Sequence, residues 1–126
     1  MTIAYVDSSC LVAIAFGERG AKALSRRLDS FDELIASNLL EAELSAAFAR
    51  EGVALDRELF AAVSWIVPDR PLHAEIERVL EAGYVRGADC WHLAAALYLS
   101  EDPRAIAFVT LDERQGVVAG VLGFGR

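Results

Sequence analysis

Short apolar, β-prone runs alternate along the 126-residue chain with longer segments of helical pattern, which predicts strands and helices in alternation. The first element is the short apolar run Ile3 to Val6, which predicts a buried strand. Asp7 follows it directly, and the segment SSCLVAIAF then predicts a helix with Ser8 or Ser9 as its N-cap. A second, shorter helix is expected over residues 21–28.

The middle of the chain continues the alternation. Residues Leu34 to Ala36 predict a brief strand, and a helix is expected from Asn38 to about residue 50. Asn38 and Glu41 have the spacing of a capping box. Another helix is predicted from Asp56 to about residue 64, followed by a strand over Trp65 to Val67.

The last part of the chain predicts a helix from Leu72 to Glu81, a strongly apolar helix from Ala88 to Leu99, and a strand from Ala105 to Val109. This strand is followed by Thr110-Leu-Asp112. Alternating strands and helices indicate an α/β fold with a short, mostly parallel sheet and helices on both faces. We expect a three-layer α/β/α sandwich in which residues 1–126 form a single domain.

Composition excludes several classes of protein. Hydrophobic residues make up 55% of the chain, which excludes intrinsic disorder. No apolar run approaches the ~18 residues that span a bilayer, and the N-terminus lacks a signal-peptide pattern, so we expect a cytoplasmic protein with no membrane association. Cys10 and Cys90 lie in apolar helical segments and are expected to be buried free thiols.

The net charge is −7, from 12 basic and 19 acidic residues. This balance argues against a protein that holds long nucleic acids by neutralising their phosphates. It is compatible with a nuclease whose carboxylates bind a cation, because the metal then supplies the positive charge. An excess of acid also suits a basic protein partner.

Three aspartates are candidates for a functional site. Asp7 and Asp112 each follow a predicted strand, at the end where parallel α/β sheets bind ligands, although both positions also suit a turn or cap residue. Asp89 lies in the first turn of a helix that is apolar nearly all round. The helix dipole favours an acid there, but a carboxylate at the tip of a buried helix also needs a partner or a metal.

Glu43 competes with Glu41 for a place in this site. Both lie about 80° from the centre of the apolar stripe of their helix, on opposite flanks, so periodicity does not choose between them. The capping box assigns Glu41 a structural role with Asn38, which leaves Glu43 without a local partner. Four carboxylates with no Cys/His cluster suggest a hard cation, Mg²⁺ or Mn²⁺.

In these residues the sequence resembles the PIN-domain ribonucleases, and among them the VapC-type toxins of toxin–antitoxin pairs. The resemblance covers nearly the whole chain. It is carried by four motifs in order: YVDSSCLVAI with Asp7, SNLLEAEL with Ser37 and Glu43, RGADCWHLAAAL with Asp89, and FVTLDER with Thr110 and Asp112.

The resemblance implies a short-sheeted α/β/α sandwich, often dimeric, that hydrolyses RNA with Mg²⁺ or Mn²⁺. Asp7 and Asp89 would be the principal metal ligands, and Glu43 and Asp112 would complete the pocket. Supporting hydroxyls would come from Ser9 and Thr110. A cognate antitoxin would inhibit such an enzyme by placing a basic side chain in the acidic pocket.

Other side chains near these motifs have simpler interpretations. Arg86 and Arg114 neighbour Asp89 and Asp112 and are candidates for RNA contact, with a solvated surface role as the alternative. His92 is expected to be a hydrogen-bonded helix residue rather than a general base. Trp65 and Trp91 are expected in the core.

Related folds fail on single residues. A haloacid-dehalogenase phosphotransferase needs a second Asp where Ser9 stands, and a receiver domain needs a late lysine, whereas Lys22 is the only lysine. Two alternatives stay open: an RNA-processing PIN nuclease without an antitoxin, and a non-catalytic PIN-like module that binds RNA or protein.

Overall fold

The computed structural model describes residues 1–126 and contains one sheet of four parallel strands in the order β3-β2-β1-β4. Helices cover both faces of this sheet. The predicted α/β/α sandwich is therefore confirmed, and the sheet is parallel throughout. The strands are β1 (Ile3–Val6), β2 (Glu33–Ser37), β3 (Val63–Ile66) and β4 (Ile106–Val109).

Six α-helices connect and follow the strands. None of them has the length and apolar character needed to cross a membrane. Two short 3-10 turns, Arg57–Phe60 and Pro103–Ala105, precede β3 and β4. The helices are α1 (Ser8–Ala15), α2 (Ala21–Asp29), α3 (Leu39–Arg50), α4 (His73–Ala82), α5 (Gly87–Leu99) and α6 (Glu113–Leu122).

The central strand β1 divides the interior into two cores because its side chains alternate between the faces of the sheet. Ala4 and Val6 face a core that α1, α2 and α3 close, whereas Tyr5 faces a second core closed by α4, α5 and α6. All three side chains are fully buried. Burial on both faces explains why β1 and β4 are apolar runs rather than alternating sequences.

The predicted helix from Asp56 to Ser64 is wrong. Asp56 does cap a helical segment, because its Oδ1 accepts from the Glu58 amide at 3.0 Å, but only a 3-10 turn follows. The strand β3 begins at Val63, two residues before the predicted start, and pairs with β2 along its whole length. The backbone hydrogen bonds of this pairing and the burial of Val63 end the turn early.

The two tryptophans differ from the expected core role. Trp65 lies on the edge strand β3 with 41% of its surface exposed, and its ring packs 5.3 Å from that of Phe60, so the core assignment is wrong for this residue. Trp91 lies on α5, is partly buried and packs against the margin of the second core. Cys10 and Cys90 are buried and free, as expected.

Helix α6 was not anticipated by the sequence pattern. Gly116 and Gly120 lie within it, and each lowers helix propensity by about 1 kcal/mol relative to Ala. Burial of Val118, Ala119 and Leu122 against the second core stabilises the helix in spite of this cost.

The segment after α6 returns along the outer edge of β4. The Gly125 amide donates to Ile106 O at 2.9 Å, and the Phe108 amide donates to Gly125 O at 2.9 Å. Phe124 is buried beside Phe108, with ring centroids 5.6 Å apart. This segment therefore covers the backbone of an edge strand.

Candidate active site

The carboxyl ends of β1 and β4 lie side by side, because Val6 pairs with Val109 in a parallel register. The residue after each strand is a predicted site residue, Asp7 or Thr110. The Asp7 amide donates to Val109 O at 3.2 Å, and Thr110 Oγ1 lies 3.0 Å from Asp7 Oδ2. The register of the sheet thus brings these two side chains into contact.

Asp7 occupies the N-cap position of α1, but its carboxylate makes no capping hydrogen bond. Ser9 Oγ donates to Asp7 Oδ1 at 2.6 Å, so both carboxylate oxygens are turned toward hydroxyls instead of the helix backbone. The predicted N-cap at Ser8 or Ser9 is wrong, since both residues lie inside the first turn. The Asp7 carboxylate therefore does not act as a helix cap.

Burial decides the electrostatics of Asp7, which is only 3% exposed. Desolvation raises the pKa of its carboxyl group, and the charge of Asp89 raises it further. Hydrogen bonds from Ser9 and Thr110 and the nearby His92 act in the opposite direction. The net direction is upward, which marks a carboxylate that gains from a neutralising proton or cation.

Thr110 connects the two ends of the site through its hydroxyl. Its Oγ1 accepts from the Asp112 amide at 3.0 Å and lies 2.8 Å from Gln115 Oε1. A hydroxyl has one hydrogen, so it donates either to Asp7 or to Gln115 at a given moment. Gln115 Nε2 in turn donates to the backbone oxygen of Asp89 at 3.2 Å.

Gln115 is a site residue that the sequence analysis did not single out. It is fully buried, and it joins the end of β4 to the first turn of α5. The signal that points to it is its spacing from Val118, Ala119 and Leu122, which puts a polar side chain on the buried face of α6.

Asp112 has the structural role that the sequence left open, since it is the N-cap of α6. Its Oδ1 accepts from the Gln115 amide at 2.8 Å, and the residue is exposed. A cap uses one oxygen, and the other oxygen makes no hydrogen bond with the protein. Capping and ligand binding are therefore compatible at this position.

Asp89 lies in the first turn of α5 and is partly buried. Burial is the main cause that raises the pKa of its carboxyl group, and the charges of Asp112 and Glu43 add to it. His92 and Arg86 lower this pKa. Asp89 is thus affected by the charges of two of the other predicted acids.

Glu43 lies on α3 with 28% of its side chain exposed, and its Oε1 is hydrogen bonded to His92 Nε2. The capping box used to choose it is wrong, because the Asn38 side chain makes no capping hydrogen bond. Glu41 is instead exposed, with Oε2 3.9 Å from an Arg57 nitrogen. The two glutamates therefore differ in their contacts, and the place of Glu43 in the site stays a prediction.

His92 is confirmed as a hydrogen-bonded helix residue and is 1% exposed. Its Nδ1 lies 2.7 Å from Tyr5 Oη, and the Ser37 amide donates to the same Tyr5 oxygen at 3.2 Å. Burial raises the pKa of the Tyr5 hydroxyl, which keeps the phenol neutral. The Tyr5 and His92 rings meet edge to face with centroids 5.8 Å apart.

A cleft of about 280 Å³ opens beside Asp89 and Asp112, and Arg86 and Arg114 also line it. Arg114 Nε donates to the backbone oxygen of Tyr84 at 2.7 Å, which fixes part of its guanidinium at the cleft. Both arginines are exposed. The cleft therefore combines carboxylates with cationic side chains that are free to meet an anion.

The predicted acids fit a hard cation by their chemistry. All of them offer carboxylate oxygens, and burial and mutual repulsion raise the pKa of Asp7 and Asp89. No three acidic, His or Cys side chains form a finished metal-binding group in this arrangement. Holding a cation would thus involve reorientation of the exposed carboxylates, such as that of Asp112.

The fold is a parallel α/β/α sandwich that places carboxylates at the ends of its central strands. The chain belongs to the PIN domain family, whose profile matches residues 4–121, and this family has a nuclease-type fold. No curated protein sequence matches the chain significantly. The family resemblance is thereby confirmed, and the narrower likeness to VapC-type toxins stays a prediction.

Proposed function

We propose that this chain is a metal-dependent endoribonuclease that hydrolyses RNA phosphodiester bonds in the cytoplasm. The observation that carries the proposal is the electrostatic coupling of the four predicted acids within a PIN domain. Asp112 and Glu43 raise the pKa of the Asp89 carboxyl group, and Asp89 raises the pKa of Asp7. Carboxylates gathered in this way repel one another, and a bound cation relieves the repulsion.

Asp7 and Asp89 would hold Mg²⁺ or Mn²⁺, with Glu43 and Asp112 completing the site. When bound, a cation of this kind acidifies water and stabilises negative charge on a phosphate. Ser9 and Thr110 orient the oxygens of Asp7 through their hydroxyls. A buried and oriented carboxylate keeps its position when a ligand arrives.

Arg86 and Arg114 would contact the RNA backbone at the cleft beside Asp89 and Asp112. A guanidinium group matches a phosphate in shape and charge. The net charge of −7 limits such contacts to a local patch, because the rest of the surface repels long nucleic acids. We therefore favour a short, locally held stretch of RNA as substrate.

The test is cleavage of a labelled single-stranded RNA by the full chain. Activity with Mg²⁺ or Mn²⁺ should disappear in excess EDTA and return when the metal is restored. Asp89→Asn should be inactive under the same conditions and serves as the control for contaminating ribonuclease. Full activity in excess chelator would exclude the mechanism, and RNA binding without cleavage would favour the non-catalytic module.

We further propose that the enzyme is the toxin of a toxin–antitoxin pair, inhibited by a partner that places an arginine or lysine among the acids. Such a side chain would compete with the metal. Raising Mg²⁺ should then weaken inhibition, and Asp7→Asn should weaken partner binding. The test uses the product of the adjacent upstream gene as inhibitor. If the partner bound wild type and Asp7→Asn with equal affinity, and Mg²⁺ did not change that affinity, this mode of inhibition would be contradicted.

A further inference from the structure

A chain of buried hydrogen bonds leads from the sheet to Glu43. The Ser37 amide at the end of β2 donates to Tyr5 Oη on β1, at 3.2 Å. Tyr5 Oη lies 2.7 Å from His92 Nδ1 on α5, and His92 Nε2 is bonded to Glu43 Oε1 on α3. These hydrogen bonds link β2, β1, α5 and α3 in series and end at the Glu43 carboxylate.

In this series of hydrogen bonds, the contact between His92 and Glu43 has the same donor in both protonation states of the imidazole. With a neutral imidazole, the Tyr5 hydroxyl donates to Nδ1, and the ring hydrogen is on Nε2. With a charged imidazole, both ring nitrogens carry hydrogen, and Tyr5 Oη accepts. In either state Nε2 donates to the Glu43 carboxylate, so the contact does not depend on the protonation of His92.

We propose that His92 is a positioning residue for Glu43, held by Tyr5, and that it engages Oε1 so that Oε2 alone faces a cation. This inference rests on the proposed function. A single oriented oxygen makes Glu43 a one-oxygen ligand, whereas a free glutamate could rotate or bind through both oxygens. Hydrogen bonds to metal-binding carboxylates have this orienting effect in general.

The burial of His92 supports a purpose beyond packing. The residue is 1% exposed on a helix whose other buried side chains are nearly all apolar. A polar ring in such a place is costly unless it is hydrogen bonded, and an apolar side chain would avoid that cost. Tyr5 satisfies one nitrogen, and the only partner of the other nitrogen is Glu43.

The experiment measures Mn²⁺ binding by calorimetry to the full chain without RNA, together with thermal unfolding without metal. His92→Leu removes the donor, and His92→Gln restores an N–H group. Tyr5→Phe releases the ring without touching Glu43. We expect Mn²⁺ affinity to fall about 10- to 100-fold in His92→Leu, with partial recovery in His92→Gln and a smaller loss in Tyr5→Phe.

Matched controls are His73→Leu on the exposed start of α4 and Tyr98→Phe, whose hydroxyl bonds the exposed Asp69. Both should keep wild-type affinity. If His92→Leu does not fold, Tyr5→Phe carries the test, because it removes only a hydroxyl group. Variants that lower the melting temperature but leave Mn²⁺ affinity unchanged would overturn the positioning role.

Glu43→Gln separates this inference from the proposed function. In that background His92→Leu should cause no further loss of Mn²⁺ affinity, because no carboxylate is left to orient. If Glu43→Gln weakens binding and the His92 and Tyr5 variants do not, the inference is wrong and the proposed function stands. If wild type binds no Mn²⁺, or Glu43→Gln changes nothing, the metal assignment fails and the inference fails with it.

Discussion

The acidic site has two sides that are built differently. The inner wall consists of Asp7 and Glu43, whose carboxylates accept hydrogen bonds from buried or partly buried side chains. The outer rim consists of Asp89 and Asp112 and faces the open cleft. No side-chain group of the protein donates to either rim carboxylate, and Asp112 is bonded only to a backbone amide.

The wall thus provides carboxylate oxygens of fixed orientation, and the rim provides carboxylates that a ligand in the cleft can reach. Inner-wall oxygens are held in place before any ligand arrives, and that order is established by residues on other elements of the fold. At the rim, Asp112 is exposed, so its free oxygen can turn toward a ligand. Changes in the wall, and loss of the Asp89 carboxylate at the rim, should therefore affect metal binding and chemistry. Changes of the cationic side chains around the rim should affect substrate binding.

The largest expected effect is on the inner wall. Glu43→Gln keeps the shape of the side chain but removes its charge, and should lower kcat by at least about 100-fold, since even outer partners of metal ligands contribute about 10- to 100-fold. Its melting temperature should equal or exceed that of wild type. Glu41→Gln, on the exposed flank of α3, is the matched control and should cleave normally. The reverse pattern would show that Glu41 is the functional residue.

Gln115 joins the wall to the rim, and its loss should be the next largest effect. Gln115→Leu removes two buried hydrogen bonds, one to the Asp89 backbone oxygen and one to the Thr110 hydroxyl, each contributing about 0.5–1.5 kcal/mol. We expect the free energy of unfolding in urea to fall by about 2 kcal/mol. Glu113→Leu, an exposed neighbour, should change it by less than about 0.5 kcal/mol. Equal values for the two variants would mean that the wall and rim are independent.

A smaller effect is expected at the cationic part of the rim. Arg86→Ala and Arg114→Ala should each raise KM for RNA about 10-fold, with kcat nearly unchanged, and should each lower the salt dependence of binding by about one ion. Arg104→Ala, just before β4 and thus at the amino ends of the strands, away from the site at their carboxyl ends, is the control. An unchanged KM would show that Arg86 and Arg114 are solvated surface residues that do not contact RNA.

The smallest effect concerns pH in the absence of metal. The pKa of Asp7 is raised in the folded protein above its ordinary value of about 3.9. Stability from this group is therefore complete below that value and is lost as pH rises through the folded pKa. Urea unfolding in EDTA between pH 4 and 7 should show Asp7→Asn gaining stability relative to wild type as pH increases. A constant difference across this range would contradict the raised pKa.

The sequence predicted β1 and β4 well because both are short apolar runs that are buried on both faces of the sheet. It misplaced the start of β3, which is mostly exposed. Ile3–Val6 was predicted to the residue. Helix α6 was missed because its stability comes from burial, which glycine-containing local sequence does not reveal. The turn after Asp56 was overpredicted because a cap starts a helix but does not determine its length.

For the site, sequence identified residues next to strand ends but not their partners. Asp7 and Thr110 follow paired strands, so the parallel register explains their contact. His92 and Tyr5 are 87 residues apart, and no local pattern links them. The capping argument favoured Glu43 although no such cap exists, because the sequence does not show that Asn38 already has helical backbone angles.

The segment that covers β4 has a consequence for self-association. An uncovered edge strand offers its backbone to strands of other molecules, which leads to aggregation or strand exchange. Here Gly125 occupies the amide and carbonyl groups of Phe108 and Ile106, and a Cβ at Gly125 would lie 3.6 Å from Ile106 O. β3, the strand at the other edge, also has four residues. Removing residues 124–126 should therefore leave the outer backbone groups of β4 unpaired. We expect the truncated protein to form β-rich aggregates under conditions in which the full chain stays monodisperse.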